Sequence, residues 1–111
     1  MQIIPLTKFR NELPKFKRQA QLYGLTLAVS YYGEIVGYLV PLALANKLEA
    51  SGAMTRGMED ISLKNFRTDL LECWEKLQVD LDCFYLTAHS CQVAAFVSPR
   101  FKDKIEVSKV A

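Results

Sequence analysis

The chain is one pattern written twice. Sliding residues 4–49 over residues 61–106, a shift of 57 without a gap, gives ten identities: Ile4/Ile61, Leu6/Leu63, Phe9/Phe66, Arg10/Arg67, Leu13/Leu70, Gln21/Gln78, Val36/Val93, Val40/Val97, Lys47/Lys104 and Glu49/Glu106. Roughly three would arise by chance at ordinary composition. Like-for-like exchanges fill other positions, among them Glu12/Asp69, Leu27/Phe84, Ser30/Thr87 and Leu39/Phe96. A long period present only twice differs from a solenoid, whose units need at least about three copies. It points to a homodimer whose two subunits have become one chain. Symmetric dimers have characteristic tasks, and binding two-fold DNA sites is prominent among them.

The expected division is repeat 1 over residues 1–50, a linker at 51–59 and repeat 2 over residues 60–107. At 111 residues the chain suffices for one compact domain with a shared core. A repeat of about 50 residues is marginal alone, so each half is expected to stabilise the other. Half of the residues are apolar, which argues against disorder. No apolar run approaches the ~20 residues needed to span a bilayer, and the start lacks a basic stretch followed by an apolar one. The sequence therefore reads as soluble and cytoplasmic, with no membrane partner.

Periodicity gives each repeat the order β-α-β-β-α, an α+β arrangement. A short strand at residues 2–4 precedes Leu6, Phe9, Leu13, Phe16, Ala20 and Tyr23, whose steps of three and four mark an amphipathic helix. Thr7 is the expected N-cap and Gly24 the stop, with a kink at Pro14 or a helix that properly starts near Asn11. Leu25, Leu27 and Val29 alternate with polar or small residues, as a strand does. A turn at Tyr32-Gly33 or Gly33-Glu34 leads into a return strand over residues 35–40. That strand is apolar on both faces, Ile35 and Leu39 on one and Val36, Tyr38 and Val40 on the other. Pro41 ends it, and residues 42–49 form a second helix. Residues 50–59 carry Gly52 and Gly57 without periodicity and read as the linker. Repeat 2 follows suit: a strand near Asp60-Ile61, a helix carrying Leu63, Phe66, Leu70, Cys73 and Leu77, strands at 83–87 and 92–97, and a final helix from Pro99 to about Val107. Gly37 and Ala94 share a position that requires a small side chain.

Cys73, Cys83 and Cys91 all fall in the second half. An odd number without an export signal reads as reduced thiols. Cys83 and Cys91 belong at opposite ends of one hairpin, beyond the reach of an S–S bond. Net charge is +2 but unevenly shared: residues 1–50 hold six Lys/Arg against three Asp/Glu, and residues 51–111 hold eight against nine. Lys8, Arg10, Lys15, Lys17 and Arg18 crowd one segment.

Three stretches carry a family resemblance: Met1-Gln2-Ile3, Leu6-Thr7-Lys8-Phe9-Arg10-Asn11-Glu12-Leu13, and Gly33-Glu34-Ile35-Val36-Gly37-Tyr38-Leu39-Val40-Pro41-Leu42. Repeat 1 resembles the N-terminal domain of the Phd/YefM (prevent-host-death) antitoxins over nearly its whole length. Repeat 2 resembles it through Ile61-Ser62-Leu63-Lys64-Asn65-Phe66-Arg67-Thr68-Asp69-Leu70. The resemblance implies two Phd/YefM-like repeats forming an intrachain pseudodimer, with double-stranded operator DNA as partner. By the same resemblance Arg10 matches the arginine of the first helix that contacts DNA, and Arg67 is its internal counterpart. A helix N-terminus offers N–H groups and a positive dipole end to phosphate, and arginine adds a bidentate donor. Thr7, Lys8, Lys15, Lys17 and Lys64 are the further expected DNA contacts. In this family a basic Arg-Arg-Gly hairpin turn is common, whereas here the turns read Tyr31-Tyr32-Gly33 and Ala88-His89-Ser90. A counterpart of the family's toxin-binding tail is not expected either, since only residues 107–111 follow Glu106.

Each feature also has a bland reading. Lys15, Lys17 and Arg18 fit a solvated helix face. Asp69, Glu72, Glu75, Asp80 and Asp82 are expected to surround Arg67 with negative charge. Trp74, in the place of Lys17, would pack on the linker or meet a partner, and Tyr31 and Tyr32 would meet a partner or shield the sheet edge. No catalytic, metal-ligand or phosphate-loop pattern occurs, so no enzyme and no cofactor are expected. The expected function is a DNA-binding transcriptional regulator. A protein-interaction module, or an antitoxin holding a toxin through its linker or the Trp74 face, is the alternative. Assembly beyond the pseudodimer is left open.

Overall fold

Residues 1–105 are described by the computed structural model. Their elements run β1 (Gln2–Pro5), α1 (Leu6–Asn11), α2 (Leu13–Tyr23), β2 (Leu27–Tyr31), β3 (Glu34–Pro41), α3 (Leu42–Ala50), β4 (Met58–Ser62), α4 (Leu63–Thr68), α5 (Leu70–Val79), β5 (Cys83–Ala88) and β6 (Cys91–Val97). A 3-10 turn at Pro99–Phe101 continues into helix at 102–105. The rest of the expected final helix, residues 106 and 107, lies outside the described residues. The fold is α+β around one six-stranded sheet of order β1-β2-β3-β6-β5-β4. The β1/β2 and β4/β5 pairs are parallel and the others antiparallel.

At the middle of the sheet Tyr38 pairs with Val97, Leu39 with Phe96 and Val40 with Ala95. Moving Tyr38 forward by 57 and Val97 back by 57 gives Ala95 and Val40, which are partners too. Leu39/Phe96 maps onto itself. Irregularities recur at the same shift. Register slips occur between Val29 and Ser30 and between Leu86 and Thr87. Both hairpins turn on two residues with positive φ, Tyr32 (50°) and Gly33 (80°), then His89 (53°) and Ser90 (64°). Such two-residue turns match the twist of the strands that they join.

Three local expectations are corrected. The first helix starts at Leu6 with Pro5 as its N-cap residue, so Thr7 lies inside the first turn and caps nothing. Only in the second half is the corresponding start capped, by Ser62 Oγ accepting from the Asn65 N–H at 3.1 Å. The helix also breaks fully, at Glu12 (φ −115°, ψ 27°), and Pro14 falls in the first turn of α2, where its missing N–H has no helical partner to lose. Proline is not the cause, because the second half breaks alike at Asp69 (φ −105°, ψ 26°) with Leu71 in the proline's place. Finally, Val36 shares the face of Leu39, and Ile35 packs with Tyr38 and Val40. The slip beside Val29 puts an extra residue into β3 and reverses the alternation that sequence spacing implies.

The sheet separates two apolar layers. On one face α1, α2, α4 and α5 bury Phe9, Phe16, Phe66 and Leu70 against Leu39 and Phe96. Phe9 and Phe66, one from each half, meet edge to face at 6.1 Å, and each lies within 6 Å of the Phe96 ring. On the other face α3 and the turn after β6, through Phe101, pack with Tyr38 and Tyr85. There Tyr85 Oη donates to Glu49 Oε1 at 2.6 Å, tying α3 to β5. Phe96 lies directly over Gly37, where an added Cβ would run into the ring.

The linker is more ordered than its lack of periodicity implies. Met54 is buried, and Met58 and Glu59 already belong to β4. Arg56 Nε and Arg100 Nε both donate to Asp82 Oδ1, at 2.8 and 2.7 Å, and the Arg56 N–H donates to Oδ2 at 2.8 Å. Burial alone would push the Asp82 carboxyl up, but hydrogen bonds from Arg100 and Arg56 outweigh it and hold it at about 2. No helix among the described residues is long and apolar enough to cross a membrane.

Two outcomes are expected in equilibrium unfolding. Gly37→Ala should destabilise by about 1–3 kcal/mol through overpacking, and Phe96→Leu, which restores the residue of the other half, should recover much of that loss in the double variant. A carboxyl whose folded value lies below its unfolded value of 3.8 stabilises above that value and loses the contribution as pH falls toward 2. Stability should therefore drop by about 2 kcal/mol between pH ~4 and ~2. In Asp82→Asn that acid-dependent increment should be missing and stability at neutral pH lower.

Candidate nucleic-acid interface

Arg10 and Arg67 each follow a core phenylalanine, and the contact of Phe9 with Phe66 brings both arginines to one groove on the helical face. The groove has a volume of about 640 Å³ and is lined by Arg10, Leu13, Pro14 and Lys17 from the first half and Leu63, Lys64, Arg67 and Thr68 from the second. Four cations therefore share one concavity, and no carboxylate lines it. Leu13 and Pro14 form the N-terminal end of α2, so the positive end of that helix dipole adds to the potential.

Of the expected contacts, Arg10, Lys17, Lys64 and Arg67 converge, whereas Thr7, Lys8 and Lys15 do not line the groove. Thr7 and Lys8 are exposed on α1 outside it. Lys15 turns to Glu12, at 3.5 Å between exposed side chains, and sits over the Phe16 ring. Lys17 Nζ donates to Gln21 Oε1 at 3.1 Å, an exposed bond that a phosphate would readily replace. The placement of Arg10 at a helix N-terminus is corrected as well. α1 is only six residues long and Arg10 stands in its last turn, where that helix's own dipole favours the cation rather than an anion.

Arg10 Nε is buried without a hydrogen-bond partner. A buried donor left unpaired costs of the order of 1–3 kcal/mol. Beside Arg10 stands the first hairpin tip. The Tyr31 hydroxyl is bonded to Tyr32, which raises its pKa, while the nearby Arg10 charge acts in the opposite sense. Tyr32 is 90% exposed.

Three of the carboxylates expected around Arg67 are placed elsewhere. Asp82 is fully buried and occupied by Arg56 and Arg100. Asp69 and Glu72 line a separate small crevice with Glu59 and Asp60, on the β4 side of the helices. The break at Asp69 explains this: Arg67 belongs to α4, whereas Glu72 belongs to α5, which runs in a new direction.

Trp74 packs neither on the linker nor in solvent. Its ring meets Tyr31 of the opposite half edge to face at 5.3 Å, and Tyr31 in turn contacts Tyr32 at 4.4 Å. The aromatic pair thus clamps one hairpin tip onto the other half's helix. At the corresponding place the second hairpin has Ala88 and the first helix Lys17, so the clamp exists on one side only. The thiols are all free: Cys83 lies opposite Val97 and Cys91 opposite Ala88, the two ends of one hairpin. Burial raises Cys73 to about 11 and Cys83 still further, while Cys91 is exposed. Sequence reasoning missed Arg56 and Arg100, whose role depends on a carboxylate 26 and 18 residues away; nothing in local spacing signals it.

No protein-family model, curated protein or solved structure matches the chain.

Because Trp74 is the sole tryptophan, its fluorescence reports on the clamp alone. Tyr31→Ala should expose the indole and shift its emission to longer wavelength, whereas Tyr32→Ala should leave the maximum nearly unchanged. An unshifted Tyr31→Ala spectrum would remove the clamp.

Proposed function

We propose that the chain is a DNA-binding transcriptional regulator, a single-chain pseudodimer of two Phd/YefM-like repeats that grips duplex DNA in the basic groove between its halves. The groove carries this reading: four cations drawn from both halves, no carboxylate, and an Arg10 donor that is buried and unpaired. Support for the two-fold arrangement comes from the β3/β6 register and the paired irregularities 57 residues apart. Lys17 and Lys64 would neutralise phosphates without regard to sequence, while Arg10 and Arg67 would reach base edges or phosphates as bidentate donors. A covalent tether makes pairing of the halves intramolecular, so the gripping unit would persist on dilution.

A second reading, that of a protein-interaction module, draws on Tyr32, an almost fully exposed aromatic at a hairpin tip held rigid by Tyr31 and Trp74. Rigid exposed aromatics serve as anchors at protein interfaces.

Selection of bound fragments from random duplex DNA separates the two. On the first reading a pseudo-palindromic site is recovered, and log affinity falls with log salt at a slope of about −4 if all four cations engage. Arg10→Ala should weaken binding by about 1–3 kcal/mol, and Lys17→Ala should flatten the salt slope by about one. Recovery of no sequence, together with loss of a co-purifying protein on Tyr32→Ala, would transfer the assignment to the second reading.

A further inference from the structure

Shifted by 57, Arg10 falls on Arg67, so the place corresponding to the basic groove contains the same two arginines. Its other members are different. Lys17 and Lys64 become Trp74 and Thr7, and Pro14 becomes Leu71. The Tyr31 ring meets Trp74 edge to face at 5.3 Å, and the indole Nε1 is buried, so it offers no donor to a phosphate. Leu71 is 39% exposed and brings apolar surface instead of charge. Both places belong to the helical layer, whereas Ile105, at the end of the described residues, packs in the layer beyond the sheet.

The flanks differ in the same sense. Arg18 lies one turn beyond Pro14 on α2, and its counterpart Glu75 lies one turn beyond Leu71 on α5. Both side chains are exposed. A duplex that runs on from the arginines toward α2 therefore meets Lys17, Lys64 and Arg18. One that runs on toward α5 meets an indole, a threonine hydroxyl and a carboxylate. At physiological salt charges act over about 8 Å, so Glu75 bears on a phosphate at that flank.

We infer that the chain holds duplex DNA off-centre: the two arginines mark the middle of the site, and phosphates are gripped on the α2 side of it only, by Lys17 and Lys64. The inference rests on the proposed DNA-binding pseudodimer and adds to it a lopsided footprint. A homodimer grips both flanks of its site alike, because closed two-fold symmetry repeats every contact. Two unlike halves in one chain are free of that condition. Phosphate contacts carry no sequence information, so on a palindromic duplex the chain can seat itself either way round and still find them. It needs one arm of DNA, not two.

The test is the binding of the full chain to a palindromic duplex built on the selected site and trimmed stepwise, from one end in one series and from both in another. Log affinity is followed against log salt. At lengths where trimming both ends has flattened the slope from about −4 to about −2, the duplex trimmed at one end should keep about −4. Thr7→Lys, an exchange at an exposed position, supplies the counterpart of Lys64. In that variant the slope should start near about −5, and trimming one end should flatten it by about one. In the unaltered chain, a slope that already falls to about −3 when one end is trimmed would show grip on both flanks. That result overturns the inference and leaves the DNA reading intact, as does a slope that neither series changes. Failure to bind any duplex at about 50 mM salt would overturn both.

Discussion

The antiparallel contact of β3 with β6 is the interaction on which the rest depends. Each half taken alone is a three-stranded sheet whose last hairpin strand offers an unpaired edge, and such edges pair with whatever they meet. Joining the two edges satisfies both rows of backbone groups and creates one six-stranded sheet. The join is filled by Leu39 and Phe96, the one pair that corresponds to itself when the halves are exchanged. Phe96 is bulkier than leucine, and its ring lies where a side chain on residue 37 would be, so glycine occupies that position while the counterpart Ala94 retains its Cβ. Gly37 and Phe96 are therefore a complementary pair, and a change at one is felt at the other.

The same join determines what the surface offers. Phe9 and Phe66 meet above the central strands, and this contact carries the adjoining arginines to one groove. Away from the centre the halves diverge freely. The tyrosine–tryptophan clamp is built on one hairpin only, and the carboxylate of Asp82, with its two arginines, holds the linker where the other half has leucine and alanine. The two halves thus share a frame of strands and helices but carry unlike side chains away from the centre.

Strand order, both hairpin turns, the stop at Gly24 and the separation of Cys83 from Cys91 are all legible in residue spacing, because each is decided within a few residues. The need for a small residue at position 37 is legible too, since the repeat places glycine opposite alanine. Less legible are features that join distant parts. Residue spacing misplaces the faces of β3, because a bulge shifts the alternation by one. Asp82 looked like surface charge next to Arg67, yet it is a buried ligand for Arg56 and Arg100. All four cations of the candidate groove are legible as basic residues, two on the first helix and two through the repeat, but Lys8 and Lys15 do not line it.

By itself the sequence determined that two like units exist, what each is made of in order, and which residues are apolar enough to be buried. Those properties follow from local periodicity and from a fixed shift between identities. Only the tertiary structure decided how the units meet, because strand register and a ring-over-glycine contact depend on atoms from both halves at once. It also decided that four cations share a groove and that Asp82 is removed from the surface. Electrostatics acts through space, and two residues adjacent in the chain feel the same field only if the fold leaves them on the same face.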